Sequence, residues 1–127
     1  MANKWDTTDA EFSTSTVDER DRIDALFDAL SSKRRRQLLS LLRDETRTSV
    51  ADAARRIAAW ESDRSIDDVP RERASALEIE LVHVHLPKLR DAGIVEYDGR
   101  SRHAVMYDPP DLVERYLDRW ASRDRPD

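Results

Sequence analysis

The stretch 85–97 limits the possible folds of this chain more than any other. Leu86 and Leu89 are three residues apart, so they share one face of a helix. Gly93 can adopt the left-handed conformation that ends a helix. The β-branched residues 94–95 favour an extended segment directly after it. The stretch therefore predicts a helix that ends at a glycine and leads straight into a strand.

A β-hairpin is predicted directly after this helix. Asp98-Gly99 is a typical hairpin turn, and a second extended segment follows over 102–107. A helix that leads into a hairpin is the second half of a winged helix. The expected fold class is therefore mainly α with a small β-hairpin wing: a winged helix-turn-helix with about five helices.

The residues at the end of this helix also resemble a known family. The pattern H-L-x-x-L-x-x-A-G-I-V over 85–95 resembles the end of the recognition helix in winged helix-turn-helix transcription regulators, especially the ArsR-like group. The longer pattern over 23–107 is more similar to a winged-helix domain of unknown function common in halophilic archaea. The resemblance implies a DNA-binding transcription regulator with its base-reading residues in the middle of the fourth helix.

Composition narrows the class of protein further. The 127 residues suffice for one domain with short tails, and the absence of cysteine excludes disulfides, zinc fingers and thiol chemistry. No apolar run is long enough for a membrane span and no signal peptide is visible, so a cytoplasmic location is expected. The net charge of −5, with few lysines and many aspartates, predicts a halophilic source, or alternatively a high-GC genome. The resemblance implies that the source is archaeal. That charge also argues against non-specific binding to nucleic acid.

Apolar periodicity and capping residues divide the chain into segments. A mobile tail is expected over 1–17, a winged helix-turn-helix domain over 18–107, a C-terminal helix over 108–121 and a frayed tail over 122–127. The predicted helices inside the domain cover 18–30, 33–43, 50–61 and 71–92. Pro87 interrupts the last of these and predicts a kink near His83.

The candidate DNA contacts are mostly arginines. The resemblance aligns Ile79, Glu80, His83 and Val84 with base-reading positions, where isoleucine, glutamate and valine are poor readers of bases. We therefore expect base or groove contacts from arginines at the start of the fourth helix, phosphate contacts from the start of the second helix, and minor-groove contacts from the wing. The candidates are Arg34, Arg35, Arg71, Arg73, His83, Arg100 and Arg102.

Surplus apolar side chains near both ends of the chain predict a homodimer. They lie far along the sequence from the core helices, and a two-fold dimer would present two recognition helices about one DNA turn apart. The candidate dimerisation residues are Ile23, Phe27, Leu112, Tyr116 and Trp120.

The sequence gives little support for enzyme activity or metal binding. Two glycines do not make a phosphate-binding loop, and no nucleophile elbow or zinc-protease motif occurs, so no enzyme activity or cofactor is expected. His83 and His85 are two residues apart and cannot share a metal ion on one helix face. His85 is expected to be buried and hydrogen-bonded. A protein-interaction module that does not touch DNA remains the alternative, favoured if carboxylates neutralise the arginines.

Overall fold

The computed structural model describes the backbone of residues 8–124 and the side chains of residues 19–120. This part of the chain is mainly helical with a small three-stranded antiparallel sheet, which confirms the predicted helix-rich fold with a β-hairpin wing. The helices are α1 (Thr8–Ala29), α2 (Lys33–Glu45), α3 (Val50–Ser62), α4 (Arg71–Glu80), α5 (Leu86–Asp91) and α6 (Asp111–Asp124), and the strands are β1 (Arg47–Ser49), β2 (Glu96–Asp98) and β3 (His103–Val105). A 3-10 turn (Ile66–Asp68) precedes α4, and a π turn (Leu81–His85) joins α4 to α5.

Helix α1 is longer than predicted, whereas α6 begins at Asp111 instead of residue 108 and is shifted along the chain. Helix α1 begins at Thr8 rather than at residue 18, because no glycine or proline interrupts 8–29. The predicted tail over 1–17 is thus helical from Thr8, and its residues 1–7 lie outside the described residues. Helix α6 continues to Asp124, past the predicted end at residue 121. Of the predicted frayed tail over 122–127, residues 125–127 lie outside the described residues.

Helix α2 is the centre of the core. Leu38, Leu39, Leu41 and Leu42 are each at most 1% exposed, and Ser40 between them is equally buried. A helix this buried on all sides must have neighbours on all sides. Helix α6 covers one side of α2, where Val113 and Leu117 are buried, and α3 packs on another. No helix in the described part of the chain is long and apolar enough to cross a membrane.

Helix α3 starts where the sequence predicted it. The Ser49 hydroxyl accepts a hydrogen bond from the Asp52 amide at 3.1 Å, which satisfies one of the free N–H groups of the first turn. Ala53, Ala54 and Ala58 are fully buried. Their small side chains allow the close approach of the neighbouring helix α4.

The helix that ends at Gly93 and the wing that follows it are both confirmed. Gly93 has a φ of +77°, and the Ile94 amide donates to the Leu89 carbonyl at 3.0 Å, closing the end of α5. Strand β3 lies between β1 and β2, with the side chain of Ala104 fully buried. The wing, defined as β2, β3 and their connecting turn, is therefore fixed to the domain through β1.

Candidate nucleic-acid interface

The helical rod over 71–91, made of α4, the π turn and α5, has one buried and one open face. Leu77, Leu81 and Leu86 are at most 4% exposed and anchor the rod to the core. On the open side Ile79 is 61% exposed, and His83 is also exposed. The rod can therefore enter a DNA groove or contact a partner along its middle.

The irregularity predicted near His83 takes the form of a π turn. The Leu86 amide donates to the Leu81 carbonyl, five residues back. Pro87 explains this turn, because it has no N–H for the carbonyl four residues back and its ring would clash there. The extra residue rotates the later side chains around the rod, so Val84 is 44% exposed instead of following Leu81 into the core.

Arg34 is held between two carboxylates. Its Nε and Nη2 donate to Glu61 at 2.6 and 2.8 Å, and its Nη1 donates to Glu80 at 2.7 Å. These bonds tie α2 to α3 and α4, and the hydrogen bonds to Glu61 raise the pKa of the Arg34 guanidinium further above its ordinary value. An intramolecular network therefore occupies the donors of Arg34, and its phosphate contact stays a prediction.

Arg35 is buried, and its donors are also occupied within the chain. The residue is 6% exposed, and its Nε donates to the Ala29 carbonyl at 2.8 Å. Its Nη2 donates to the Asp28 carbonyl at 3.0 Å, so one side chain satisfies two carbonyls at the end of α1. Burial lowers the pKa of the Arg35 guanidinium, and the Asp28 carboxylate opposes that shift.

His85 connects Arg35 to Glu80 and is buried as predicted. Its Nδ1 lies 3.2 Å from Arg35 Nη1, and its Nε2 lies 2.7 Å from Glu80 Oε2. Because a guanidinium only donates, Nδ1 accepts, and we assign the proton to Nε2, which donates to Glu80. Both ring nitrogens are therefore engaged. Among the described residues, no group of three or more His, Cys, Asp or Glu side chains could hold a metal ion.

This network predicts a pH-dependent stability. Hydrogen bonds from Arg34, and then from His85, lower the pKa of the Glu80 carboxyl. A depressed carboxyl pKa contributes stability above the ordinary value of 4.5 and loses it as the pH falls through the folded value. As the pH falls from 4.5 through the folded pKa of Glu80, the wild type is therefore expected to lose more stability than Glu80→Gln. Urea unfolding at a series of pH values measures the difference. The control is Glu96→Gln on the exposed wing strand; equal pH slopes for both variants would contradict the prediction.

Arg71 and Arg73, both predicted as base or groove contacts, lie on different sides of α4. They are two residues apart, about 200° around the helix, and they line different clefts. Arg73 lies beside Arg34 and Glu61, with its Nη2 4.0 Å from Glu61 Oε1 and its side chain 48% exposed. Arg71 lies on the other side of α4 and lines a cleft with Arg55.

The tip of the wing is a rigid turn with two exposed arginines. The Asp98 carbonyl accepts from the Arg102 amide at 2.7 Å, and the Asp98 carboxylate accepts from the Arg100 amide at 3.0 Å and the Ser101 hydroxyl at 3.1 Å. These bonds, with the Arg100 amide foremost, lower the pKa of the Asp98 carboxyl. Arg102 has a left-handed φ of +59°. The turn therefore fixes the backbone from which both arginines project.

The candidate contacts fall into two groups. The first group lies on one side of the rod, where Glu61 and His85 are the partners of Arg34, Arg35 and Arg73. Arg71 and Arg102 lie on the wing side, where Arg102 Nη2 is 3.7 Å from Glu78 Oε2. Arg55 belongs to this second group and was missed from the sequence. The helical wheel of α3 could have found it, because Arg55 lies about 200° around the helix from the buried Ala53 and Ile57.

The predicted dimerisation residues lie together on α1 and α6. The Phe27 and Tyr116 rings meet edge to face at 6.4 Å, and Trp120 follows Tyr116 at 5.9 Å. Leu112, Tyr116 and Trp120 are partly buried against the core or its edge. On α1, Ile23 and Phe27 are 45% and 47% exposed, whereas Leu26 and Leu30 are buried.

An exposed helical rod beside a small three-stranded sheet that carries the wing defines a helix-rich domain with a β-hairpin wing. The chain belongs to the family of a domain of unknown function, DUF7344, whose model matches residues 27–105. This segment is more than half of the 127 residues and runs from the end of α1 through β3. No curated protein and no solved structure matches the chain.

Proposed function

We propose that the protein is a DNA-binding transcription regulator that acts in the cytoplasm as a homodimer. The supporting observation is the open face of the rod beside a wing whose tip carries exposed Arg100 and Arg102. In a winged helix-turn-helix of the proposed ArsR-like kind, the rod enters the major groove and the wing reaches the adjacent backbone or minor groove. His83 lies on the open face, within reach of base edges in this arrangement.

The charge of the chain limits how DNA is held. The net charge is −5, and the proposed halophilic, archaeal setting implies a salt-rich cytoplasm. Each phosphate contact makes affinity fall more steeply with salt, so binding rests on few phosphates and on a dimeric footprint.

The test is fluorescence anisotropy on native promoter fragments over a KCl series that extends to molar salt. We expect the wild type to prefer one fragment. We expect Arg100→Ala to weaken binding to all fragments alike and to reduce the slope of log affinity against log salt concentration by about one. The matched control is Arg115→Ala, which removes an exposed arginine from α6, away from the wing. Equal binding to all fragments at every salt concentration would overturn the proposal.

A protein-interaction module is the second candidate, and one observation favours it. Arg34 and Arg35 are occupied by intramolecular partners, while Ile79 and Val84 are exposed apolar side chains on the rod. Apolar groups on an otherwise polar surface suit a protein partner better than DNA phosphates. If the wild type shows no promoter preference and Arg100→Ala binds DNA like the wild type, the protein-interaction module replaces the DNA-binding regulator as the proposed function.

A further inference from the structure

We propose that a cleft between α3 and α4, beside the wing, binds a backbone phosphate of DNA, and that Glu78 acts there as an internal counter-anion that the phosphate displaces. This inference rests on the proposed DNA binding and names the chemical group that this part of the surface takes. The Glu78 cleft has a volume of about 250 Å³ and is lined by Ala51, Arg55, Val69, Arg71, Ala74, Ser75 and Glu78.

Two arginines line this cleft, and a third lies beside its Glu78 carboxylate. Arg55 comes from α3, Arg71 from the first turn of α4, and Arg102 from the wing, where its Nη2 is 3.7 Å from Glu78 Oε2. Among the described side chains, neither Arg55 nor Arg71 forms an ion pair. Three guanidinium groups around one carboxylate leave a local charge of +2, so the cleft can accept a further anion.

The lining of the cleft suits a phosphate group. Ala51 and Ala74 are small, which leaves room for an anion next to the helix backbones. The Ser75 hydroxyl can donate a hydrogen bond, and the planar guanidinium groups of Arg55 and Arg71 can each donate two to phosphate oxygens. A DNA strand that passes between the rod and the wing would bring its backbone to this place.

A comparison with the cleft on the other side of α4 shows why this one is exchangeable. There Arg34 and Arg73 face Glu61 and Glu80, so two cations balance two carboxylates, and the Arg34 bonds are 2.6 to 2.8 Å long. In the Glu78 cleft the ion pair is longer at 3.7 Å, and the Arg102 side chain is 60% exposed. Screening by water weakens such an open pair, so a phosphate can replace Glu78 as the partner of Arg102.

Glu78 therefore opposes DNA binding while it holds the cations in place. We expect Glu78→Gln to bind promoter DNA about ten-fold more tightly, because the competing charge is gone. We expect Arg55→Ala and Arg71→Ala each to weaken binding and reduce the salt slope by about one. The matched control is Glu72→Gln, an exposed carboxylate on the same helix, for which we expect a change of no more than about two-fold.

Anisotropy on the preferred promoter fragment decides among the outcomes, with circular dichroism to show that each variant is folded. If the wild type prefers its promoter but the Glu78, Arg55 and Arg71 variants all bind like it, this inference is overturned and the proposed function stands. If neither the wild type nor Glu78→Gln binds DNA at any salt concentration, this inference and the proposed DNA-binding function both fail. Inorganic phosphate alone serves as a second probe by NMR. Shifts at Arg55 and Arg71 with phosphate, without any effect of their replacement on DNA binding, would assign the cleft to free phosphate and overturn the DNA-backbone role.

Discussion

Replacing Arg35 with alanine is expected to lower the free energy of unfolding by about 3 kcal/mol. The residue is 6% exposed, and its guanidinium serves the Asp28 and Ala29 carbonyls together with His85 Nδ1. Truncation would remove the donor of the Ala29 carbonyl and of His85 Nδ1 in a place that water reaches poorly, whereas the Asp28 carbonyl would keep the Ser31 hydroxyl and amide as donors. It would also remove the packing of the aliphatic stem. Chemical denaturation monitored by circular dichroism measures the change.

Two further variants separate the role of the guanidinium from that of the positive charge. Arg35→Lys keeps the charge but has no planar fork to reach all three acceptors, so we expect an intermediate loss. Lys33→Ala removes an exposed cation from the same helix, and we expect a change within about 0.5 kcal/mol. If Arg35→Ala were as stable as Lys33→Ala, the guanidinium would not be what holds the end of α1 to the core.

Placing a carboxylate on the exposed stripe of α1 is expected to dissociate the proposed dimer. Ile23 and Phe27 are close to half exposed, and Phe27 continues into the aromatic contact with Tyr116. If this surface is buried between two copies of the chain, Ile23→Glu and Phe27→Glu should each raise the dissociation constant by about 100-fold, because apolar area is lost and a charge is buried. Light scattering in molar KCl measures the mass.

Ala25→Glu is the matched control, since it adds the same charge to an exposed position on another face of α1. We expect it to leave the mass unchanged. Ile23→Glu is the more informative variant, because the structure gives Phe27 an aromatic partner within the same chain. A wild-type protein that is monomeric at tens of micromolar would remove the homodimer from the proposal and leave the winged fold unaffected.

Local sequence determined the parts of the fold that depend on neighbouring residues. Gly93 predicted the end of α5 because the left-handed conformation there is strained for other residues. Ser49 predicted the start of α3 through a hydrogen bond that spans three residues. Pro87 predicted an irregularity in the rod near His83, although not that a π turn would accommodate it.

Only the tertiary structure decided what each arginine does. Arg34 meets Glu61 and Glu80, and Arg35 meets His85, across 27, 46 and 50 residues of sequence. With 27 carboxylates in the chain, no local pattern selects these partners. The same holds for Arg55, which the packing of α3 against α4 brings to the Glu78 cleft. Helix periods and caps act over a few residues, whereas ion pairs form wherever packed helices bring opposite charges together, so the sequence determined the scaffold and the packing determined the candidate site.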